Sequence, residues 1–269
     1  MPGKSLLGEQ AEYGSSYSPD LLQPIPREEN RQILGLAAEL PFHGEDIWNA
    51  YELTWLNMLG KPQVATAEFR VPADSPNIIE SKSMKLYLDS LSMTQYQGPD
   101  HVTNTINADL SRVTGAPVTV QLRPLIPPGS IKELPGNCID SLDVDCGSEN
   151  VDPGMLSCGS DGTVSEALHT HLLRSLCPVT GQPDSGSILI RYQGRQIDPG
   201  SLLRYIVSYR KHHDFHESCV ERIFLDIKKQ CGPERLSVYA RYNRRGGLDI
   251  NPFRSDFEPT AENLRLWRQ

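Results

Sequence analysis

The chain runs through one pattern twice. Ile106 to Asp109 stands against Ile223 to Asp226, Gly115 against Gly232, and Val118-Thr119-Val120 against Leu236-Ser237-Val238, at an offset of about 117 residues. Repetition of this kind points to one supersecondary unit used in tandem, each copy burying equivalent apolar faces. The order of elements supports the match more strongly than the short identities do. In the first copy, Trp48 to Met58 and Gln63 to Val71 have the aromatic and β-branched content of strands, with Gly60-Lys61-Pro62 as the turn of a hairpin. Met84, Tyr87, Leu88 and Leu91 then fall on one helical face, as do Val102, Ile106, Leu110 and Val113, before Gly115 stops the second helix. Pro117 to Leu125 alternates as a half-buried strand should.

The second copy repeats that order. Val164 to Leu176 and Ser187 to Tyr192 read as strands, and Asp198-Pro199 supplies an N-cap and an N1 proline for a helix bearing Leu202, Leu203, Ile206 and Val207. A further helix from about His216 buries Val220, Ile223, Phe224 and Ile227 and ends at Gly232-Pro233, after which Leu236 to Ala240 is a strand. The expected class is α+β, with two tandem modules that each set two helices on one face of an antiparallel sheet. The expected divisions are an N-terminal arm over 1–46, a first module over 47–126, a linker or surface excursion over 127–162 and a second module over 163–269. Pro127-Pro128-Gly129 and an excess of acids over the single Lys132 mark the excursion.

Composition narrows the function. A formal net charge of −8 argues against nonspecific nucleic-acid binding. No apolar run approaches the roughly 20 residues that cross a bilayer, and Met1-Pro2-Gly3-Lys4-Ser5 has no signal-peptide core, so the chain reads as cytosolic. Cysteines 138, 146, 158, 177, 219 and 231 form no CxxC pair, and in that setting they read as free thiols.

Four stretches could carry chemistry. Cys177 ends an apolar run and Asp184 follows across two prolines, which suits a nucleophile with a proton carrier, or a buried cysteine before an ordinary turn. Ile79-Glu80-Ser81-Lys82-Ser83-Met84-Lys85 opens the first helix, where free backbone N–H groups and two lysines could face an anion and Glu80 could accept paired hydrogen bonds. A plain helix N-terminus, with Glu80 at the positive end of the dipole, is the alternative. In His212-His213-Asp214-Phe215-His216-Glu217, His216 could pass a proton and Glu217 could anchor a ligand; it could equally be a solvated loop and cap. His216 and Cys219 share a helical face, but no further ligand pair has metal-site spacing, so no metal is expected. Arg241-Tyr242-Asn243-Arg244-Arg245-Gly246-Gly247 concentrates positive charge and flexible backbone, as an anionic ligand requires. No GxGxxG is present, so any dinucleotide would bind outside a Rossmann fold.

Taken together, Glu80 to Tyr87, Cys177 to Asp184, Phe215-His216-Glu217 and Arg244 to Pro252 resemble the 7-cyano-7-deazaguanine reductase family, QueF, in its long two-module form. The likeness spans nearly the whole chain from about Pro41. It implies two tunnelling folds (T-folds) and an NADPH-dependent reduction of 7-cyano-7-deazaguanine to its aminomethyl product, on the route to queuosine in tRNA. It further implies Cys177, Asp184 and His216 as catalytic residues, with Cys177 forming a thioimide. Ile79, Glu80, Ser81, His216 and Glu217 would hold the base, and Ser81, Lys82, Arg245 and Gly246 the cofactor. A cytoplasmic homodimer without direct nucleic-acid or membrane partners completes the implication. The repeat sets Cys177 near Gly60, so the first copy lacks the nucleophile and one catalytic pocket per chain is expected. In one departure, an aromatic residue commonly follows the aspartate in the family, and Ser185 stands here. The residues alone leave open a Cys177/His216 thiol hydrolase of an amide or nitrile, and a purine- or pterin-binding module without turnover.

Overall fold

The computed structural model describes residues 16–36, 39–123, 125, 131–148 and 150–269. The opening Met1 to Ser5 and the Pro127-Pro128-Gly129 punctuation lie outside the described residues. Compactness separates the described residues into two units, one drawn from Met1–Gly35, Ile47–Gly129 and Arg245–Asp249, the other from Leu36–Asp46, Ser130–Arg244 and Ile250–Gln269. The divisions differ from those read along the sequence. Segment 1–46 splits at Gly35, and the arginine-glycine turn at 245 joins the first unit although its chain neighbours belong to the second.

The elements follow the expected order. They are β1 (Pro24–Pro26), α1 (Arg27–Ile33), β2 (His43–Leu56), β3 (Pro62–Pro72), β4 (Asn77–Ile79), α2 (Ser81–Ser90), α3 (Pro99–Thr114), β5 (Thr119–Arg123), β6 (Asn137–Cys138), β7 (Cys158–Leu176), β8 (Pro183–Ile197), α4 (Pro199–Val207), α5 (His216–Cys231), β9 (Arg235–Tyr242) and β10 (Leu248–Ser255). In the first unit β5, β3 and β2 lie side by side, with Thr66 opposite Arg123 and Arg70 opposite Thr119. β1 and β4 pair separately, placing Pro24 opposite Ile79 at the entrance to α2. Met84, Tyr87 and Leu88 of α2 and Val102, Ile106, Leu110 and Val113 of α3 are buried, as the 3.6-residue period requires.

In the second unit the order is β10, β9, β8, β7, β6, antiparallel except at the β6–β7 edge. Alternation puts Ile188, Ile190 and Tyr192 of β8 and Leu236, Val238, Ala240 and Tyr242 of β9 into one core with the apolar faces of α4 and α5. Each fully buried Ile or Leu there contributes roughly 1.5–3 kcal/mol. Arg254 crosses this unit completely buried, bonded to Asp46 Oδ1 at 2.8 Å and Glu221 Oε1 at 2.9 Å. The two carboxylates outweigh its desolvation and hold it protonated.

Helix-to-helix ties are duplicated in the two units. Tyr87 Oη donates to Asp109 Oδ2 at 2.7 Å between α2 and α3, and Tyr205 Oη donates to Asp226 Oδ2 at 2.6 Å between α4 and α5. Gly115 and Gly232 end their helices with φ of 73° and 60°, a left-handed conformation that costs glycine least.

The 127–162 reading narrows. From Ile131 on this stretch binds the second unit as a strap. Leu134, Ile139 and Leu156 are buried, β6 pairs in parallel with Leu168 and His169, and Ile139 N–H donates to His169 O at 3.0 Å. Three well-spaced anchors among exposed acids leave no period to read, which is why composition alone left a linker and a surface excursion both open; the packed strap is the second of these.

Candidate active site

β7 and β8 close as a hairpin whose last pairs are Ser175 with Asp184 and Leu176 with Pro183. Cys177 N–H then donates to Gln182 O at 2.9 Å, continuing that register into the turn. Opposed residues in an antiparallel pair share a face, as do residues two apart on one strand. Cys177, Ser175, Gln182 and Asp184 therefore project to the same side, with Cys177 and Asp184 as diagonal neighbours of the kind that lie roughly 7–8 Å apart. Leu176 is also held from the other flank, donating to His212 O at 2.8 Å and accepting from Asp214 N–H at 3.1 Å. The residue before the thiol is thus fixed on both sides, while Cys177 itself is partly exposed.

Asp184 is buried, and its Oδ2 lies 3.3 Å from His216 Nε2 at the start of α5. Tyr242 stacks flat on the imidazole, with centroids 3.7 Å apart and planes within 5°. That stack fixes the ring plane, so Nε2 is aimed at the carboxylate and Nδ1 is left buried without a hydrogen-bond partner. The imidazole is thus held with one nitrogen on a carboxylate and the other turned inward. Burial pushes the Tyr242 phenol and the Cys219 thiol well above their ordinary ranges, so both stay protonated. Cys219 is fully buried and stays a thiol on that account, whereas Cys177, at the turn of this hairpin, is partly exposed. Glu217, in the first turn of α5, is buried.

In the first unit Glu80 is the N-cap of α2. Its carboxylate accepts from Lys82 N–H at 2.9 Å and Ser83 N–H at 2.7 Å, while Ile79 is buried behind it. Asp198 does the same for α4, accepting from Ser201 N–H at 2.6 Å. The capping alternative for Glu80 is therefore what the structure shows; an ionised carboxylate still has lone pairs for a ligand, and the cap fixes where they point. Lys85, one turn after Ser81, approaches the Arg245-Gly246-Gly247-Leu248 turn closely enough that a Cβ on Gly246 would sit 3.1 Å from its Cε. Gly246 and Gly247 both have positive φ, 61° and 76°, the requirement of a type I′ turn. The turn thus sets backbone close to the Lys85 side chain at Gly246 and to the Glu52 carboxylate at Gly247.

Other parts of the sequence reading change. Arg241 is buried and committed internally, to Gln269 Oε1 at 3.0 Å, Tyr239 Oη at 2.6 Å and Asn263 Oδ1 at 2.8 Å, so it leaves the anion-binding run. The counterpart of Cys177 is Asn57, not Gly60: Asn57 N–H donates to Lys61 O, and Leu56 bonds Thr94 and Tyr96 as Leu176 bonds His212 and Asp214. Tyr242 was hidden in a run read for charge, although the Leu236, Val238, Ala240 alternation extends to it.

Two family models match this chain: one described as nitrile reductase, 7-cyano-7-deazaguanine-reductase N-term over residues 13–122, and one as QueF-like protein over residues 183–261. The NADPH-dependent 7-cyano-7-deazaguanine reductase of Hydrogenovibrio crunogenus is 51% identical over 268 residues, covering 99% of this chain and 97% of that one. The chain belongs to the 7-cyano-7-deazaguanine reductase family. The family's N-terminal model covers Glu80 to Lys85, and its second model covers Asp184, His216, Glu217, Arg245 and Gly246 but begins after Cys177. The crystal structure of the archaeosine synthase QueF-Like in the apo form, 19% identical, covers 38% of this chain and 100% of that one with a TM-score of 0.32, too slight a likeness to bear on this reductase-family fold. Among the described residues no helix is long and apolar enough to cross a membrane.

Proposed function

We propose that this chain reduces the nitrile of 7-cyano-7-deazaguanine to the primary amine of 7-aminomethyl-7-deazaguanine, with NADPH as reductant, on the route to queuosine. The observation that carries this reading is Cys177 on one hairpin face with Asp184, whose carboxylate meets His216, in a chain 51% identical to a reductase of that name. The Cys177 sulfur adds to the nitrile carbon, and its proton moves by way of Asp184 to the nitrile nitrogen, giving a thioimide. When bound, NADPH supplies a hydride to that carbon at each of two visits. Between them the carbon–sulfur bond breaks, Cys177 leaves as thiolate and the nitrogen electron pair closes an imine, whose final protonation His216 assists.

The family resemblance assigns Glu80 and Glu217 to the N–H groups of the base's pyrimidine edge, with the backbone near Ile79 and Ser81 assisting; charge-assisted contacts of that kind select against purines lacking those donors. Ser81, Lys82, Arg245 and Gly246 hold the cofactor, the basic side chains favouring a 2′-phosphate. T-fold modules, a homodimer and a cytoplasmic setting belong to the same proposal through the family resemblance.

The test is intact-mass measurement after adding the cyano-base without NADPH. The expected result is a mass gain equal to the base in wild type and none in Cys177→Ala. An unmodified wild-type mass with proven binding would remove the covalent step. Release of acid or amide without NADPH consumption would replace the reductase with a thiol hydrolase.

A further inference from the structure

Cys138, His169 and His171 play no part in the chemistry above, yet the fold gathers them in the second unit. Parallel pairing sets Cys138 of β6 opposite His169 of β7, and His171 follows two residues later. Cys138 Sγ and one ring nitrogen from each histidine all lie within 4.8 Å of one another. The two imidazoles meet edge to face, with centroids 5.4 Å apart.

The hydrogen bonds behind the rings are those that a metal-binding histidine needs. His169 Nδ1 lies 3.0 Å from Pro135 O, and a carbonyl only accepts, so Nδ1 carries the proton and Nε2 keeps its lone pair. His171 Nδ1 lies 2.7 Å from Ser187 Oγ, a hydroxyl able to accept from it and so leave Nε2 to a metal. Charge around the cluster is mixed: Arg268 donates to His171 O at 2.7 Å, while Asp140 accepts from His171 N–H at 3.1 Å.

We propose that Cys138 Sγ, His169 Nε2 and His171 Nε2 bind one zinc ion, with the fourth position left to water or a small ligand. A thiolate with two imidazoles matches the borderline-soft preference of zinc. Tetrahedral bonding at about 2.3 Å to sulfur and 2.0–2.1 Å to nitrogen spaces ligand atoms roughly 3.3–3.7 Å apart, so an adjustment of about 1 Å suffices. Cys138 is exposed on a two-residue strand and has the freedom to make it. The ion would tie the strap that begins at Ile131 to β7, the strand that ends beside Cys177.

The test uses the full-length protein, stripped with chelator under a phosphine reductant and titrated with Co2+. Wild type is expected to bind one equivalent with the intense d–d bands of a tetrahedral site and a thiolate-to-cobalt charge-transfer band, both lost on adding Zn2+. Cys138→Ser should abolish the charge-transfer band and weaken zinc binding on the order of 100-fold or more. His171→Gln, at a half-buried position, should weaken it comparably with an unchanged circular dichroism spectrum, and Cys146→Ser should leave binding intact. No cobalt uptake by wild type, or a charge-transfer band that survives in Cys138→Ser, would overturn the site.

Discussion

In the proposed mechanism Asp184 serves two partners. It lies diagonal to Cys177 across the hairpin and 3.3 Å from His216 Nε2. Asp184→Asn keeps the shape and removes the proton acceptor, so adduct formation should slow by roughly 10²–10⁴. Time-resolved intact mass measures this, and an unchanged rate would take Asp184 out of the proton path. His216→Phe preserves a ring against Tyr242 while deleting both nitrogens. The adduct should still form, and amine release should fall by roughly 10²–10⁴, read as product per turnover by chromatography. Loss of the adduct itself would assign His216 to the first proton transfer instead. These residue types and their order were legible in the sequence. The stacked Tyr242 was not, because its role depends on which face of β9 meets α5.

At the scale of elements, Glu80 and Asp198 make a controlled pair. Both cap the first helix of the repeated helix pair: Ser83 Oγ donates to Glu80 O at 2.7 Å and Ser201 Oγ to Asp198 O at 2.8 Å. Alanine at either position should cost about 1 kcal/mol of stability, seen as a lowered denaturation midpoint. Loss of a charge-assisted contact is worth roughly 1.5–3 kcal/mol, so Glu80→Ala alone should also weaken base binding roughly 10–150-fold by calorimetry. Equal, small effects of the two variants on binding would reduce Glu80 to a cap. The buried Arg254 triad is a second test: Arg254→Met withdraws the guanidinium from two buried carboxylates, Asp46 and Glu221. The expected loss is about 3–5 kcal/mol in chemical denaturation.

At the scale of the whole molecule, two similar frameworks repeat and only the second carries the proposed nucleophile and its proposed partners. Register sets Asn57 and Gln63 of the first unit where Cys177 and Asp184 stand in the second, and α3 opens on Pro99 where α5 opens on His216. A sulfur placed in the first hairpin would find Gln63 and Pro99 where Asp184 and His216 stand in the second. Asn57→Cys combined with Cys177→Ala should therefore form no adduct with the cyano-base by intact mass; a gain at residue 57 would mean that the thiol needs no partners. Periodicity and capping residues determined the repeated order of elements, the α+β class and most candidate side chains, because local signals of that kind act within a few residues. Only the tertiary structure decided that Glu80 caps α2, that Arg241 is used internally, that the acidic 131–157 stretch is a packed strap and that Cys138 meets two histidines. Each of those depends on pairing between residues far apart in the chain, and strand pairing at long range leaves no mark in local composition.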